Sequence, residues 1–547
     1  MATLVLPLSA YSDELPKLAK PVDIPILLSG NFGELRSNHF HSGIDIKTQG
    51  RTGLPIYAVE DGYVSRVTVS PWGFGRAIYI THPSLGITTV YGHLLSFAPK
   101  IDGPVRDEQY KRETFSIDLE FSPGEIPVER GEKIALSGNS GSSGGPHLHM
   151  DVRDTATGET IDPLPYYRDH IKDAVAPEIR SIALYRDKGF GTVLNAPDTR
   201  LPAKFSQPFV AWGKVIPAIK AYDKMSNTTN IYGVKKLTLN VDGKTVYSRI
   251  VDRYDFKDTR AINTLVDYSG VVKNNSWMMW TKVPKSNPLS KMIIADNDGT
   301  IDINEERNYK CEWVLTDEHG NTSRVPFTIT GKEMPIAENE YAGDLLFYDG
   351  KNTIAKDGIS VTFPPFTFYD NVDFVLSQNP SQEYLSPVYN IGSASVPVSG
   401  EYTVDVNVGD YYTGDPEKLV FVRINGKRKS RVDAKYEEGI LKATPSALGK
   451  FAITLDTISP TITPEMPAKW GIKGKISMII RDNLSGIKAY HGKIDGKFAL
   501  FELDGKTGRL SFVMDPDRFA KGTLHELEVT VTDNCGNSTV YKKSFKW

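Results

Sequence analysis

Cysteine is nearly absent from this chain: two of its 547 residues, Cys311 and Cys535, carry a thiol. They stand more than two hundred residues apart, which leaves no disulfide scaffold and no cysteine-rich metal site, and a bond between the two is not expected. No stretch of about 18 or more apolar residues occurs, so no segment reads as a membrane-spanning helix. Excess charge is missing as well. Lys and Arg number 64 against 67 Asp and Glu, a net charge of -3 without a basic stripe, and nucleic acid is excluded as an expected partner on that ground. Histidine is scarce and uneven. Of ten, His39, His41, His82, His93, His147 and His149 fall in the first 149 residues, so any imidazole chemistry is concentrated near the N-terminus.

What is present favours short strands. The chain is 40% hydrophobic and rich in Tyr, with 46 Gly and 34 Pro, a composition of strands and turns rather than long helices. The expected fold class is mainly β, an N-terminal antiparallel sheet domain followed by immunoglobulin-like sandwiches. The length calls for roughly three to five domains of about 100–200 residues. The start, Met1-Ala-Thr-Leu-Val-Leu-Pro-Leu-Ser-Ala10, is a short apolar run ending in small residues but without a basic n-region. Two readings stay open for it, the remnant of a secretory signal and an ordinary chain start.

Alternation and turn residues divide the chain. Residues 1–24 form an N-terminal segment and 25–172 the first domain, with strand-like runs such as Gly62-Tyr-Val-Ser-Arg-Val-Thr-Val69 and Arg76-Ala-Ile-Tyr-Ile-Thr81. Two later segments, 173–333 and 458–547, look like diverged copies of one module. Each carries an Asp-x-x-Ser element (Asp223–Ser226, Asp482–Ser485) and closes on Thr-Asp-x-x-Gly-Asn (Thr316–Asn321, Thr532–Asn537). In that turn Asp and Asn bond the backbone while Gly takes positive φ; Asp223, Asp317, Asp482 and Asp533 are read as turn residues rather than calcium ligands. The first copy has a longer middle, Arg253–Arg307, expected to be looped. Residues 334–457 alternate in a different pattern and are assigned to a separate β-sandwich.

The histidines carry the chemistry. His147 and His149, two apart in a strand-like run, face the same side. His41 and Asp45, four apart across Ser42-Gly43, meet on a loop or strand entry rather than a regular helix. A catalytic zinc site takes three protein ligands and keeps one open position, and these residues supply that count. His39 shares the i, i+2 spacing with His41 but lacks the carboxylate at four, and is read as a rim residue. His82, before Pro83, is read as a structural histidine. Spacing alone leaves open which of His147 and His149 is the ligand. No H-E-x-x-H helix occurs in the sequence, so a histidine has to serve as base.

In order and context, His41-x-x-x-Asp45, Tyr91-Gly-His93-Leu and Gly138-Asn-Ser-Gly-Ser-Ser-Gly-Gly-Pro-His147-Leu-His149 resemble the lysostaphin-type (LytM-like) zinc metallopeptidases that cut peptidoglycan cross-bridges. The resemblance covers about residues 25–165. It implies Zn2+ held by His41, Asp45 and His149, with His147 and His93 catalytic. His147 would accept the proton of the attacking water and later give one to the leaving amine, and His93 would donate to the tetrahedral oxyanion. The multi-sandwich tail is similar to those of Bacteroidetes envelope peptidases, which implies a D-alanyl to diaminopimelyl bond, peptidoglycan peptide stems as partner and a secreted location in the cell envelope, periplasmic or outer-membrane associated, with an envelope protein as a further partner.

The Ser137–Pro146 loop lacks the lysine and helix of a phosphate cradle and is read as a groove wall. The stretch Ile101–Glu129 is longer than a minimal connection; with Tyr110, Phe115 and Phe121 it is read as an extra hairpin over the groove or as a surface insertion. Two rival functions follow from other parts of the chain: a non-catalytic or partner-gated regulator of wall amidases, and a wall-binding adhesin acting through residues 176–547.

Overall fold

The structure, a computed structural model, describes residues 15–194, 198–202, 208–409 and 412–547; the apolar run Met1–Ala10 lies outside them. It is mainly β. The first sheet is antiparallel and holds the candidate site. Its strands are β1 (Leu28–Gly30), β2 (Ile44–Lys47), β3 (Gly62–Val69), β4 (Arg76–His82), β5 (Ile87–Gly92), β6 (Ile117–Glu120) and β7 (His147–Asp154), in the order β1-β2-β7-β5-β4-β3-β6. The period of two in β7 divides its side chains: Leu148, Met150 and Val152 enter the apolar core, which leaves His147, His149 and Asp151 for the other face. Gly43 lets the His41–Asp45 segment lie against β7, because a Cβ there would stand 2.1 Å from the Met150 carbonyl oxygen.

Of the two readings of Ile101–Glu129, an extra hairpin and a surface insertion, the hairpin is corrected. The segment opens with a helix, α1 (Pro99–Lys111), and continues into β6, which pairs with β3 at the end of the sheet. Pro99 starts the helix where its missing N–H costs nothing. Ile101, Val105 and Gln109 are its buried residues. They recur at every fourth position, a spacing that the interior Gly103-Pro104 pair and a buried glutamine disguise in the sequence. Phe115 is buried in the core, whereas Tyr110 turns to the end of the chain. Its ring centroid is 5.7 Å from Phe498, and Arg518 lies over it at 3.3 Å.

Three further large apolar cores follow, formed mainly by residues between Ile182 and Ile329, between Leu346 and Ile453, and between Trp470 and Phe545. The middle of these lies in a segment with two five-stranded sheets, and the last in one with two four-stranded sheets. The two closing turns have the expected geometry: Gly320 and Gly536 adopt φ of 89° and 75°, and Asp317 and Asp533 accept hydrogen bonds from the backbone N–H of Asn321 and Asn537 at 2.8 Å each.

The Arg253–Arg307 stretch, expected to be looped, holds the helices Phe256–Thr264 and Tyr268–Asn274 and several short strands. Part of it extends the first sheet, since Thr160–Ile161 pairs with Arg253–Tyr254. Phe32 and Phe40 of the first domain enter the second core beside Tyr254, at 5.2 Å each. The last segment also packs back on the first: Arg76 pairs with Glu502 and Arg106 with Asp515, both at 2.5 Å.

Candidate metal centre and proton-transfer groups

Strand pairing sets the centre. Asp45 on β2 lies directly opposite His149 on β7, and Gly92 of β5 opposes His149 from the other side. Opposed residues share a face, and glycine leaves that face open. Phe74 stacks on the His149 ring with centroids 4.7 Å apart. His41 reaches in from the loop before β2. The result is a triangle: His41 Nε2 lies 3.0 Å from Asp45 Oδ1 and 3.1 Å from His149 Nδ1, and His149 Nδ1 lies 2.9 Å from Asp45 Oδ1. All three residues are buried, at 3–5% exposed.

The outer contacts decide which atoms point inward. His41 Nδ1 donates to the Asn31 carbonyl at 2.8 Å, and His149 Nε2 donates to Asp151 Oδ1 at 2.6 Å. The inward nitrogens therefore hold lone pairs in the neutral rings. Arg36 donates to Asp45 Oδ2 at 2.8 Å, which leaves Oδ1 for the centre. Three acceptors then converge on one point, and without a cation a single proton must serve them all. The groups respond accordingly. Burial opposes charge on His149, but Asp151 and Asp45 outweigh it and raise its pKa to about 9. Burial likewise opposes ionisation of Asp45, and the surrounding histidines hold it well below the usual carboxylate range. Burial lowers the pKa of His41. Zinc bonded at about 2.0–2.1 Å in a tetrahedron sets its ligand atoms about 3.3 Å apart. The donor set, the tautomers and the spacing thus fit a divalent metal.

Two further imidazoles flank this point. His147 Nδ1 donates to the Gly145 carbonyl at 2.8 Å, with the Ser143 hydroxyl at 3.2 Å, and its Nε2 lies 3.3 Å from Asp45 Oδ1. His93 follows β5 with φ of 59°, a left-handed conformation that costs a non-glycine residue about 1–2 kcal/mol. Its N–H donates to the Phe74 carbonyl at 2.8 Å and its Nδ1 to the Ser140 carbonyl at 2.9 Å. The His93 and His147 rings are 4.8 Å apart. Burial first, then His149 and His147, push the His93 pKa down to about 3. A neutral His93 with its proton on Nδ1 presents a lone pair at Nε2. The oxyanion-donor role implied by the resemblance therefore requires the ring to gain a second proton.

The structure thus brings His41, Asp45, His93, His147 and His149 together. It leaves His39 outside, its Nδ1 on the Ser37 carbonyl at 2.9 Å. His82 is buried and bonded to the Asp61 carbonyl and Thr89. Sequence reasoning missed Asp151, Arg36 and Asn31. The period of two that paired His147 with His149 also reaches Asp151; no local signal marks the other two. The Ser137–Pro146 loop forms a wall, as its Ser142 N–H donates to Gly73 O at 2.8 Å and its Ser140 hydroxyl accepts from the Arg76 N–H at 3.0 Å.

Residues 39–110 match the family model Peptidase family M23, and residues 343–456 match Zu5-like domain. The M23 match includes His41, Asp45 and His93 and ends before His147 and His149. Among curated proteins the chain is similar to an uncharacterized metalloprotease of Haemophilus influenzae, 32% identical over 124 residues, 23% of this chain and 20% of that protein. It is also similar to the DD-carboxypeptidase/endopeptidase Mpg of Neisseria meningitidis serogroup B, 29% identical over 130 residues, 24% of this chain and 23% of that protein. The matches span about a fifth of the length of these relatives. Among solved structures, the catalytic domain of the prophage-encoded M23 protein EnpA from Enterococcus faecalis is 25% identical and covers 26% of this chain and 94% of that one, with a TM-score of 0.20.

Proposed function

From a chain whose N-terminal part is a lysostaphin-type M23 peptidase domain, we infer a zinc-dependent endopeptidase that hydrolyses peptide cross-links of cell-wall peptidoglycan. The observation that carries this reading is the convergence of His41 Nε2, Asp45 Oδ1 and His149 Nδ1 within 3.1 Å of one another, with two more imidazoles alongside. Those three atoms would hold Zn2+, which when bound supplies a Lewis acid and lowers the pKa of water from about 15.7 toward about 7.

The rest is done by side chains. Arg36 and Asp151 fix Asp45 and His149 in place. His147, its Nδ1 proton committed to Gly145, offers Nε2 as the base that takes the proton of the attacking water. It then returns that proton to the leaving amine. His93 offers a second Nε2 acceptor beside His147, the two rings 4.8 Å apart, and its proton on Nδ1 is held by Ser140. The second proton of the attacking water, passed to that Nε2 as the tetrahedral intermediate forms, would let the ring donate to the oxyanion and then release the proton to the amine product.

The substrate reading rests on the resemblance and on the Neisseria relative, which is named a DD-carboxypeptidase/endopeptidase. It supports a bond on the carboxyl side of D-Ala, to diaminopimelate in a cross-linked stem, and a place in the cell envelope. The β modules would hold the peptidase at the wall. The test is the release of monomeric muropeptides from purified dimers cross-linked between D-Ala and diaminopimelate, followed by mass spectrometry. Cleavage at that bond supports the reading; intact dimers beside a wall-binding protein return the adhesin alternative.

A further inference from the structure

A second group of metal-ligating side chains lies away from the peptidase centre. Asp173, Asp317 and His319 each bring one donor atom within 4.8 Å of the others. Asp173 belongs to the connection leaving the first domain; Asp317 and His319 belong to the closing turn of the first module. His319 Nε2 lies 2.8 Å from the Ile171 carbonyl. A carbonyl only accepts, so this nitrogen carries the proton and Nδ1 carries a lone pair. That Nδ1 is buried without a hydrogen-bond partner, and so is Asp173 Oδ2.

A separate residue points to the same place. Asp223 is 2% exposed and its Oδ1 has no hydrogen-bond partner; burial first, then the charges of Asp317 and Asp173, push its pKa up to about 8. A buried carboxylate without a partner either takes up a proton or coordinates a metal, and a metal brings the neighbouring acids into play as ligands. The cations that reach this turn serve other groups: Arg168 pairs with Glu318, and Lys235 with Asp162 and Glu318.

The arrangement recurs in the last module, so it is a property of the module and not of one loop. Asp173-x-x-x-Pro177 and Asp456-x-x-x-Pro460 correspond. Ser226 N–H donates to Asp173 at 2.8 Å and Ser485 N–H to Asp456 at 2.9 Å. Asp456, Asp482 and Asp533 again fall within 4.8 Å. There, however, Cys535 stands in place of His319, and Lys418 Nζ donates to the Cys535 carbonyl and to Asn537 Oδ1 at 2.8 Å each. The second turn thus has a protein cation beside it.

We propose that Asp173, Asp223, Asp317 and His319 form a divalent-cation site that ties the connection leaving the peptidase domain to the closing turn of the first module. Carboxylate oxygens suit Ca2+, and an imidazole lone pair adds affinity for Zn2+; the shared chemistry is a divalent cation held mainly by aspartates. Binding only to the folded form raises the thermal midpoint.

The test uses the full chain with His149→Ala, so that the peptidase centre does not obscure zinc binding, stripped of metal by chelation. It is titrated separately with Ca2+ and Zn2+ by calorimetry and by thermal unfolding. The expected result is one equivalent of one of these ions with a rise in midpoint, weakened at least tenfold by Asp223→Asn. Asp173→Asn serves as the second variant should the first not fold. With Zn2+ as occupant, His319→Gln also weakens binding tenfold or more; with Ca2+ it changes binding less than threefold. Binding of neither ion, or binding that both aspartate variants leave unchanged, overturns the proposal. Because the readout is binding in a variant without the peptidase ligand, failure to cleave peptidoglycan leaves this result standing.

Discussion

Asp151 Oδ1 lies 2.6 Å from His149 Nε2, and this one bond determines which nitrogen of His149 faces His41 and Asp45. The carboxylate is itself held, by Ser42 at 2.9 Å and by Arg153 at 2.6 Å, and burial notwithstanding, His149 and Arg153 keep its pKa down at about 2. Asp151→Asn keeps an acceptor but removes the charge. Zinc affinity should fall by about 10–100-fold, the usual cost of losing such an orienting carboxylate, and competition with a chelator measures it. Unchanged affinity would show that His149 needs no orienting partner.

Lys506, in the last segment, donates from Nζ to the carbonyls of Asn139 at 2.5 Å and Ser143 at 3.1 Å. Ser143 in turn lies 3.2 Å from His147 Nδ1, so the far end of the chain braces the loop behind the candidate base. Lys506→Ala should lower kcat/KM between about twofold and tenfold, the range given by ~0.5–1.5 kcal/mol of hydrogen bonding. Zinc content should be unchanged, and Lys506→Arg should restore the rate. A rise in activity on Lys506→Ala would mean that the contact restrains the site instead.

Glu34 supplies a pH dependence. Burial first, with Asp45 adding and Arg36 opposing, raises its pKa to about 7 from an ordinary 4.5; its Oε2 is buried without a hydrogen-bond partner, with Arg36 Nη2 at 3.8 Å. Between these values the folded protein holds a proton that the unfolded chain has lost, so stability falls as pH rises through that window. The penalty is complete above about pH 7 and reaches at most ~3 kcal/mol. In metal-free protein, Glu34→Gln should match the wild type near pH 4 and unfold at a higher temperature at pH 8. Midpoints that stay parallel across that range would contradict the assignment.

The clustering of the histidines with Asp45 was legible because its signals are local, whereas the choice between His147 and His149 and the place of His93 came from the family resemblance. Two histidines at a period of two and a His-x-x-x-Asp pair need only strand geometry to be aligned, and histidine is rare enough in the rest of the chain for the clustering to stand out. Mainly β character followed from composition in the same way. The helix at Pro99–Lys111 was not legible, since Gly103-Pro104 reads as a break and Gln109 occupies a buried position. Nor were the supports from other segments. The Asn31 amide exchanges two hydrogen bonds of 2.9 Å with the Gly233 backbone, which secures the loop whose carbonyl holds His41. That pairing joins residues 202 positions apart, and no local pattern announces it.

The most direct test of the account measures zinc content and release of cross-links from purified sacculi for the wild type, His149→Ala and His147→Ala side by side. One zinc at the peptidase centre and cleavage are expected in the wild type, loss of both in His149→Ala, and retained zinc without cleavage in His147→Ala. Cleavage that survives in His149→Ala, or a wild type that binds no zinc at His41, Asp45 and His149, would contradict the assignment.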